Sequence, residues 1–245
     1  MKKKPGYVTD DVKKTVDDVI KHVGKDIIFG MTLALGKPIL LINELYKRAK
    51  DDPEIKLKIV TALALERPRG SSDLEHRFLK PLGDRIFEGT PEFDYMNDFR
   101  DGKLPKNVEI YEFFNKAGGY LHNPPAQQNH LCSNYTHVVR DAMEFGVNVF
   151  GILVSPKTIR GKRMYSLSCN SDIPIDAIAE VGGKRAAGLK VAVVAEANEQ
   201  LPFMYGDAVL PAESFDIILE GPQYNYNLFG PPKDAVLVKD HCIGL

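Results

Sequence analysis

Asp26-Ile27-Ile28-Phe29-Gly30-Met31-Thr32-Leu33-Ala34-Leu35-Gly36-Lys37-Pro38 is the stretch that decides the fold. Its first five residues are short, β-branched and closed by glycine, the pattern of a buried strand. Gly30 and Gly36 bracket the loop that follows. Pro38 suits the first turn of a helix, where its missing N–H has no intrahelical partner to lose. That helix runs to about Lys50, with Leu40, Leu41, Leu45 and Ala49 at inward spacing. Asp51-Asp52-Pro53 stops it, and Lys56 to Leu63 reads as a second strand. Upstream, Thr9 or Asp10 caps a helix over roughly residues 10 to 22, ended by Gly24. Helix, strand, loop, helix and strand in quick succession imply βαβ units and a parallel sheet. A loop between a strand and a helix N-terminus lies at the carboxyl edge of such a sheet, where open α/β folds bind ligands.

The rhythm breaks over residues 66 to 106. Pro68, Gly70, Pro81, Gly83, Gly89, Pro91, Gly102 and Pro105 punctuate short amphipathic pieces such as Asp73 to Leu79 and Phe93 to Phe99. This segment reads as a helical excursion, extended to about residue 118 by a further helix over Asn107 to Lys116. Gly118 to Asn134 is polar and proline-bearing, hence a loop. The alternation then resumes. Helices are expected over Thr136 to Phe145 and Pro174 to Ala187. Strands are expected over Val147 to Val154, Met164 to Cys169, Lys190 to Glu196 and Phe215 to Leu219. Asp234 to Leu245 looks like the opening of an amphipathic helix. The fold class is therefore α/β, an open mostly parallel sheet with flanking helices, carried by residues 1 to 245 as one unit.

The 245 residues carry 32 basic and 33 acidic side chains, so net charge offers no electrostatic case for a nucleic acid or an anionic membrane as partner. Cys132, Cys169 and Cys242 are odd in number and widely spaced, which fits reduced thiols in a cytoplasmic protein rather than a disulfide framework. Met1-Lys2-Lys3-Lys4 is followed by no apolar run, so no signal peptide is read there. The apolar stretch near Ile39 to Ile42 is far too short to span a bilayer.

No GxSxG elbow, Walker loop, GxGxxG or HExxH segment occurs. His122, His130 and His137 lie at spacings that match no familiar ligand pattern, and no metal site is assigned. The loop Gly30 to Pro38 can aim backbone N–H groups at an anion or a carbonyl oxygen, or can simply turn the chain; spacing alone balances the two. Gly118 to Tyr135 is long and rich in uncharged hydrogen-bonding groups, which suits either a binding loop or a solvated one. Lys157, Arg160, Lys162 and Arg163 could hold phosphates, but read more simply as a solvated turn.

Taken in order, these segments resemble the N-terminal half of the acetyl-CoA hydrolase/transferase family. Gly30, Thr32, Gly36 and Pro38 are similar to that family's first strand and Gly-x-Thr loop. Val154-Ser155-Pro156 and Ser166-Leu167-Ser168-Cys169-Asn170-Ser171-Asp172 resemble its strand end and following turn. Val193-Val194-Ala195-Glu196-Ala197-Asn198-Glu199-Gln200-Leu201-Pro202, with Tyr205-Gly206-Asp207, is similar to its later strand and loop. The matches are collinear over nearly the whole chain.

The resemblance implies a CoA-transferase-like domain and a glutamate nucleophile that takes CoA as a glutamyl thioester. That glutamate belongs to the family's second half, past a segment that Asp240 to Leu245 only approaches, so no catalytic residue is assigned in this chain. The resemblance implies pocket-shaping roles for Gly30, Met31, Thr32, Gly36 and Lys37 in the first loop. It implies the same for Pro125, Gln127 and Gln128 in the long loop, and for Asn198 and Gly206 after the later strand. They would place the acyl group and the acceptor and lend oxyanion contacts. The implied partners are acyl-CoA, a small carboxylic acid, the C-terminal half of the same enzyme and a second copy in a homo-oligomer. Coenzyme A enters as substrate, and no tightly bound cofactor is expected. The alternative reading is a non-catalytic acyl-CoA or carboxylate-binding subunit that needs a separate partner chain. A sugar-phosphate isomerase on the same superfold would need acid/base residues in the first loop, and none stands there.

Overall fold

The computed structural model describes residues 5–70 and 72–230. β1 (Tyr7–Thr9) leads into α1 (Val12–Val23), which is capped by Asp11 rather than Thr9 or Asp10; the Asp11 carboxylate accepts from the Lys14 N–H at 2.9 Å. β2 (Asp26–Met31) is followed by a 3-10 turn over Ala34–Gly36, then α2 (Ile39–Asp51) and β3 (Lys56–Thr61). The excursion supplies α3 (Asp73–Ile86) and α4 (Asp94–Arg100). The expected helix over 107 to 116 is instead a strand, β4 (Val108–Glu112). Val108, Ile110 and Glu112 are buried while Glu109 and Tyr111 are only half-buried, a period of two that overrides the helical reading.

α5 (Pro124–Gln128) is a five-residue helix inside the expected loop, opened by the Asn123 side chain accepting from the Ala126 N–H at 3.1 Å. α6 (Val138–Phe145) leads to β5 (Val149–Ile159). That strand runs five residues past its expected end and turns back as β6 (Lys162–Ser166). α7 (Asp172–Ala186), β7 (Ala192–Ala197), β8 (Val209–Pro211) and β9 (Ile217–Leu219) complete the described chain. β1 and β8 were not anticipated, being three residues each. The helix expected over Asp234 to Leu245 lies outside the described residues.

Seven strands run parallel in the order β1-β9-β7-β5-β2-β3-β4. β6 and β8 extend the second half of β5 as antiparallel strands. One core lies between the sheet and α1, α2 and α4, and contains Phe29, Ile42, Leu57 and Tyr95. The other lies under α6 and α7, with Phe150, Val154, Ala177 and Val193. Both faces of the central strands are covered, which is why their sequences are continuously apolar. From β2 the chain winds outward through β3 and β4, then returns to β5 on the other side of β2. The β2/β5 boundary is therefore the topological switch point, the place where open α/β sheets hold ligands outside their carboxyl ends. Among the described residues no helix is long and apolar enough to cross a membrane.

Candidate functional site

The loop after β2 is built tightly at this switch point. Ala34 takes φ of 43°, a left-handed conformation that costs a non-glycine residue energy and clusters at functional sites. The Thr32 hydroxyl donates to the Gly36 carbonyl, and Thr32 is buried. A Cβ on Gly36 would lie 2.5 Å from Thr32 Oγ1 and 2.8 Å from Asn170 Oδ1, so only glycine fits. The structure thus brings Thr32 and Gly36 against Asn170, which sequence reasoning placed in a turn but gave no role. Two further left-handed residues, Leu63 (φ 48°) and Ser168 (φ 56°), stand just past β3 and β6.

Lys37 leaves this loop and points under it. It is 1% exposed; its Nζ donates to Thr61 Oγ1 and, at 2.6 Å, to the Ala62 carbonyl. Thr61 pairs in register with Glu112 at the end of β4, so their side chains share one face of the sheet. Glu112 is 6% exposed, and among the described residues its Oε1 has no hydrogen-bond partner; the same holds for the Tyr95 hydroxyl. Burial drives the Lys37 ammonium well below the usual lysine range, while Glu112 pulls it back up. Burial raises the Glu112 carboxyl, and Lys37 opposes that rise. Beside them Arg100 binds Glu66 through two N–H groups at 2.8 and 3.0 Å and lies 4.2 Å from the Tyr120 ring centroid. Glu112 and Tyr95 were not singled out from the sequence. An acidic residue at the inward phase of an alternating strand was the available signal, masked by the helical reading of 107 to 116.

Glu196, at the end of β7, is fully buried. It accepts from the backbone N–H of Leu41 at 2.8 Å and Leu40 at 3.4 Å, and from the Tyr226 hydroxyl at 2.7 Å. α2 has no side-chain cap of its own, so Glu196 serves the helix N-terminus from across the fold. Burial pushes its carboxyl up to about 7 despite these donors. A group held this way offers no free nucleophile.

The remaining pocket-shaping residues sit elsewhere. Asn198 is buried, its Oδ1 accepting from the Gln200 N–H at 2.7 Å and its Nδ2 donating to the Tyr226 carbonyl at 3.0 Å. Gly206 is exposed, with φ of 81°. The loop between them is fastened by three serines of the quoted motifs. Ser155 donates to the Leu201 carbonyl at 2.9 Å, Ser168 to Pro202 at 2.7 Å and Ser166 to Met204 at 2.7 Å. Pro125, Gln127 and Gln128 are exposed on α5, which packs against the edge strand β4, with β3 between it and β2. No hydrogen bond among the described residues joins them to the first loop; Gln127 Nε2 donates to the Leu121 carbonyl at 2.7 Å. Of the basic turn, Arg163 pairs with Glu220, and Lys157 donates to the Tyr205 hydroxyl at 2.9 Å.

No protein-family model matches the chain, and no curated protein matches it. Solved structures do. RipA from Yersinia pestis is 18% identical over 94% of this chain and 45% of its own length, with a TM-score of 0.57. A point variant of RipA gives 18%, 94%, 44% and 0.58 in the same order. A 4-hydroxybutyrate CoA-transferase from Porphyromonas gingivalis is 15% identical over 88% of this chain and 39% of its own, with a TM-score of 0.47. The chain spans less than half the length of these proteins. The two RipA superpositions show the fold, an open α/β sheet with flanking helices.

Proposed function

We propose that this chain is the N-terminal α/β domain of an acyl-CoA transferase or hydrolase. The observation that carries the reading is the position of the motif loop Thr32 to Pro38. It crowns the switch point of the sheet, packed against Asn170 of the second motif and anchored by Lys37. Three motif serines also hold the later motif loop in place.

In this mechanism a glutamate from a second half attacks the thioester carbonyl of acyl-CoA. The C–S bond breaks, CoA leaves as thiolate, and an acyl-glutamyl anhydride forms. The thiolate then attacks the glutamyl carbonyl, releasing the first acid and leaving a glutamyl-CoA thioester. An acceptor carboxylate reverses the sequence and departs as the new acyl-CoA; water instead gives hydrolysis. This chain would shape the acyl and acceptor sites around the first loop, with backbone N–H groups near the oxyanions. The buried carboxylates Glu112 and Glu196 are both committed to the interior, consistent with a nucleophile from elsewhere. Leu63, Phe114, Tyr135, Met204 and Tyr205 are exposed on loops past the strand ends, an apolar surface suited to a covering half. Exposed, unpaired Cys132 and Cys169 fit a reducing cytoplasm.

The test is thiol release from acetyl-CoA, with and without carboxylate acceptors, by this chain and by a longer product of the same reading frame or a mixture with a glutamate-bearing half. Activity only in the longer or mixed form supports the proposal. Turnover by the 245-residue chain alone overturns it.

A further inference from the structure

On the α6/α7 face of the sheet, beside the first loop, lies a partly open cavity of about 30 Å³. Leu33, Val60, Phe113, Val138, Met143 and Phe150 are among the residues of its wall. Leu33 comes from the loop after β2 and Phe113 from the loop after β4, which places the cavity at the carboxyl edge. Leu33, Phe113 and Val138 also form a small apolar cluster with Ala62, separate from the two main cores. Thr61 meets this space through its backbone, since its side chain stands on the opposite face with Glu112 and its hydroxyl accepts from Lys37. Gly30 keeps the space from closing over: a Cβ there would meet Val147 Cγ1 at 2.9 Å.

A space of this size takes about two methyl-sized groups, since one water-sized sphere needs roughly 10–15 Å³. Apolar walls leave such a space dry and open to apolar guests. A hydroxyl or carboxylate there would lose its water and find no partner, which disfavours it strongly.

Building on the reading of the chain as an acyl-CoA domain, we infer that this cavity seats the alkyl end of the acyl group. The acyl group is then a saturated, unsubstituted chain of propionyl to butyryl size, and ω-hydroxy and dicarboxylic acyl groups are rejected.

The side chains of Leu33 and Met143 line the cavity and report on it directly. Methyl-labelled protein is titrated with butyrate, 4-hydroxybutyrate and succinate while the Leu33 and Met143 methyl signals are followed by NMR. The expected result is that butyrate shifts both signals at a concentration at least tenfold lower than the other two acids. Ala142 also lines the space and is only half-buried, so Ala142→Leu should fill it and abolish the butyrate response. Succinate or 4-hydroxybutyrate acting as well as butyrate overturns the inference, and so does a butyrate response that survives in a folded Ala142→Leu chain. If that variant fails to fold, the three-acid comparison on the unaltered chain decides. Thiol release reads the domain assignment, whereas these titrations read only the cavity. No butyrate response in a chain whose longer form turns over acetyl-CoA overturns this inference alone. A butyrate response with an inactive longer form overturns the domain assignment alone.

Discussion

Glu196 and Leu41 are 155 residues apart in sequence and 2.8 Å apart in space, the carboxylate of one closing the backbone N–H of the other at the start of α2. This bond ties the helix that follows the first loop to the strand on the far side of the switch point.

Its pH dependence has a definite sign. The Glu196 carboxyl is raised from 4.5 in the free group to about 7 in the folded protein. Its stabilising contribution is fully present below the unfolded value and is lost as pH rises through the folded value. At 1.36 kcal/mol per unit the change is on the order of 3 kcal/mol between pH 4.5 and 7. Glu196→Gln should flatten that window. Thermal melts at pH 5 and pH 8 check it: the difference in Tm between the two pH values should shrink by several degrees in the variant, and an unchanged difference would count against the assignment.

Lys37 and Glu112 are both buried, and each is the leading charged neighbour of the other. Removing one takes away the charge that offsets the burial of the other. Lys37→Met or Glu112→Gln alone should each cost about 3–5 kcal/mol, and the double substitution should cost clearly less than the sum. Urea unfolding of the four proteins gives the coupling energy; strict additivity would show that the two groups do not feel each other.

Glycine is required at Gly36 for a reason absent at Gly182. A Cβ at Gly36 collides with Thr32 and Asn170, whereas one at Gly182 on α7 meets nothing within 4 Å. Gly36→Ala should destabilise by about 1–3 kcal/mol. Gly182→Ala should stabilise by about 0.5–1 kcal/mol through helix propensity. Chemical denaturation of both variants is the check.

Ser166 is fully buried; its Oγ donates to the Met204 carbonyl and accepts from the Ser168 N–H at 3.1 Å and the Met204 N–H at 3.2 Å. Ser166→Ala leaves these groups without that partner, at about 1–3 kcal/mol. The loop 198–206 should then open more often. Limited proteolysis should cut faster near the exposed Met204 and Tyr205, and a protection pattern identical to the unaltered chain would contradict the stapling role.

Much of the fold was legible in local pattern. The buried run Ile27 to Gly30, the helix after Pro38, and the apolar strand around Val193 each carry their own period and punctuation. Where reading failed, packing against a neighbour decided. Val108 to Glu112 has mixed propensity, and only the register with β3 makes it a strand. Three-residue strands such as β1 and β8 exist because a partner edge is present, and no window that short carries a period.

The candidate site divides the same way. The sequence by itself determined the α/β class, the placement of the loop around Gly30 to Pro38 between a strand and a helix, and the order of the motifs, because each rests on contacts between residues near in the chain. Only the tertiary structure decided that Lys37 turns inward to Thr61 and Ala62, that Glu112 faces it, that Glu196 caps α2, and that Pro125, Gln127 and Gln128 stand apart on α5. Those facts depend on which strand ends are neighbours and on how much water each side chain loses, and both are set by strand order rather than by local sequence.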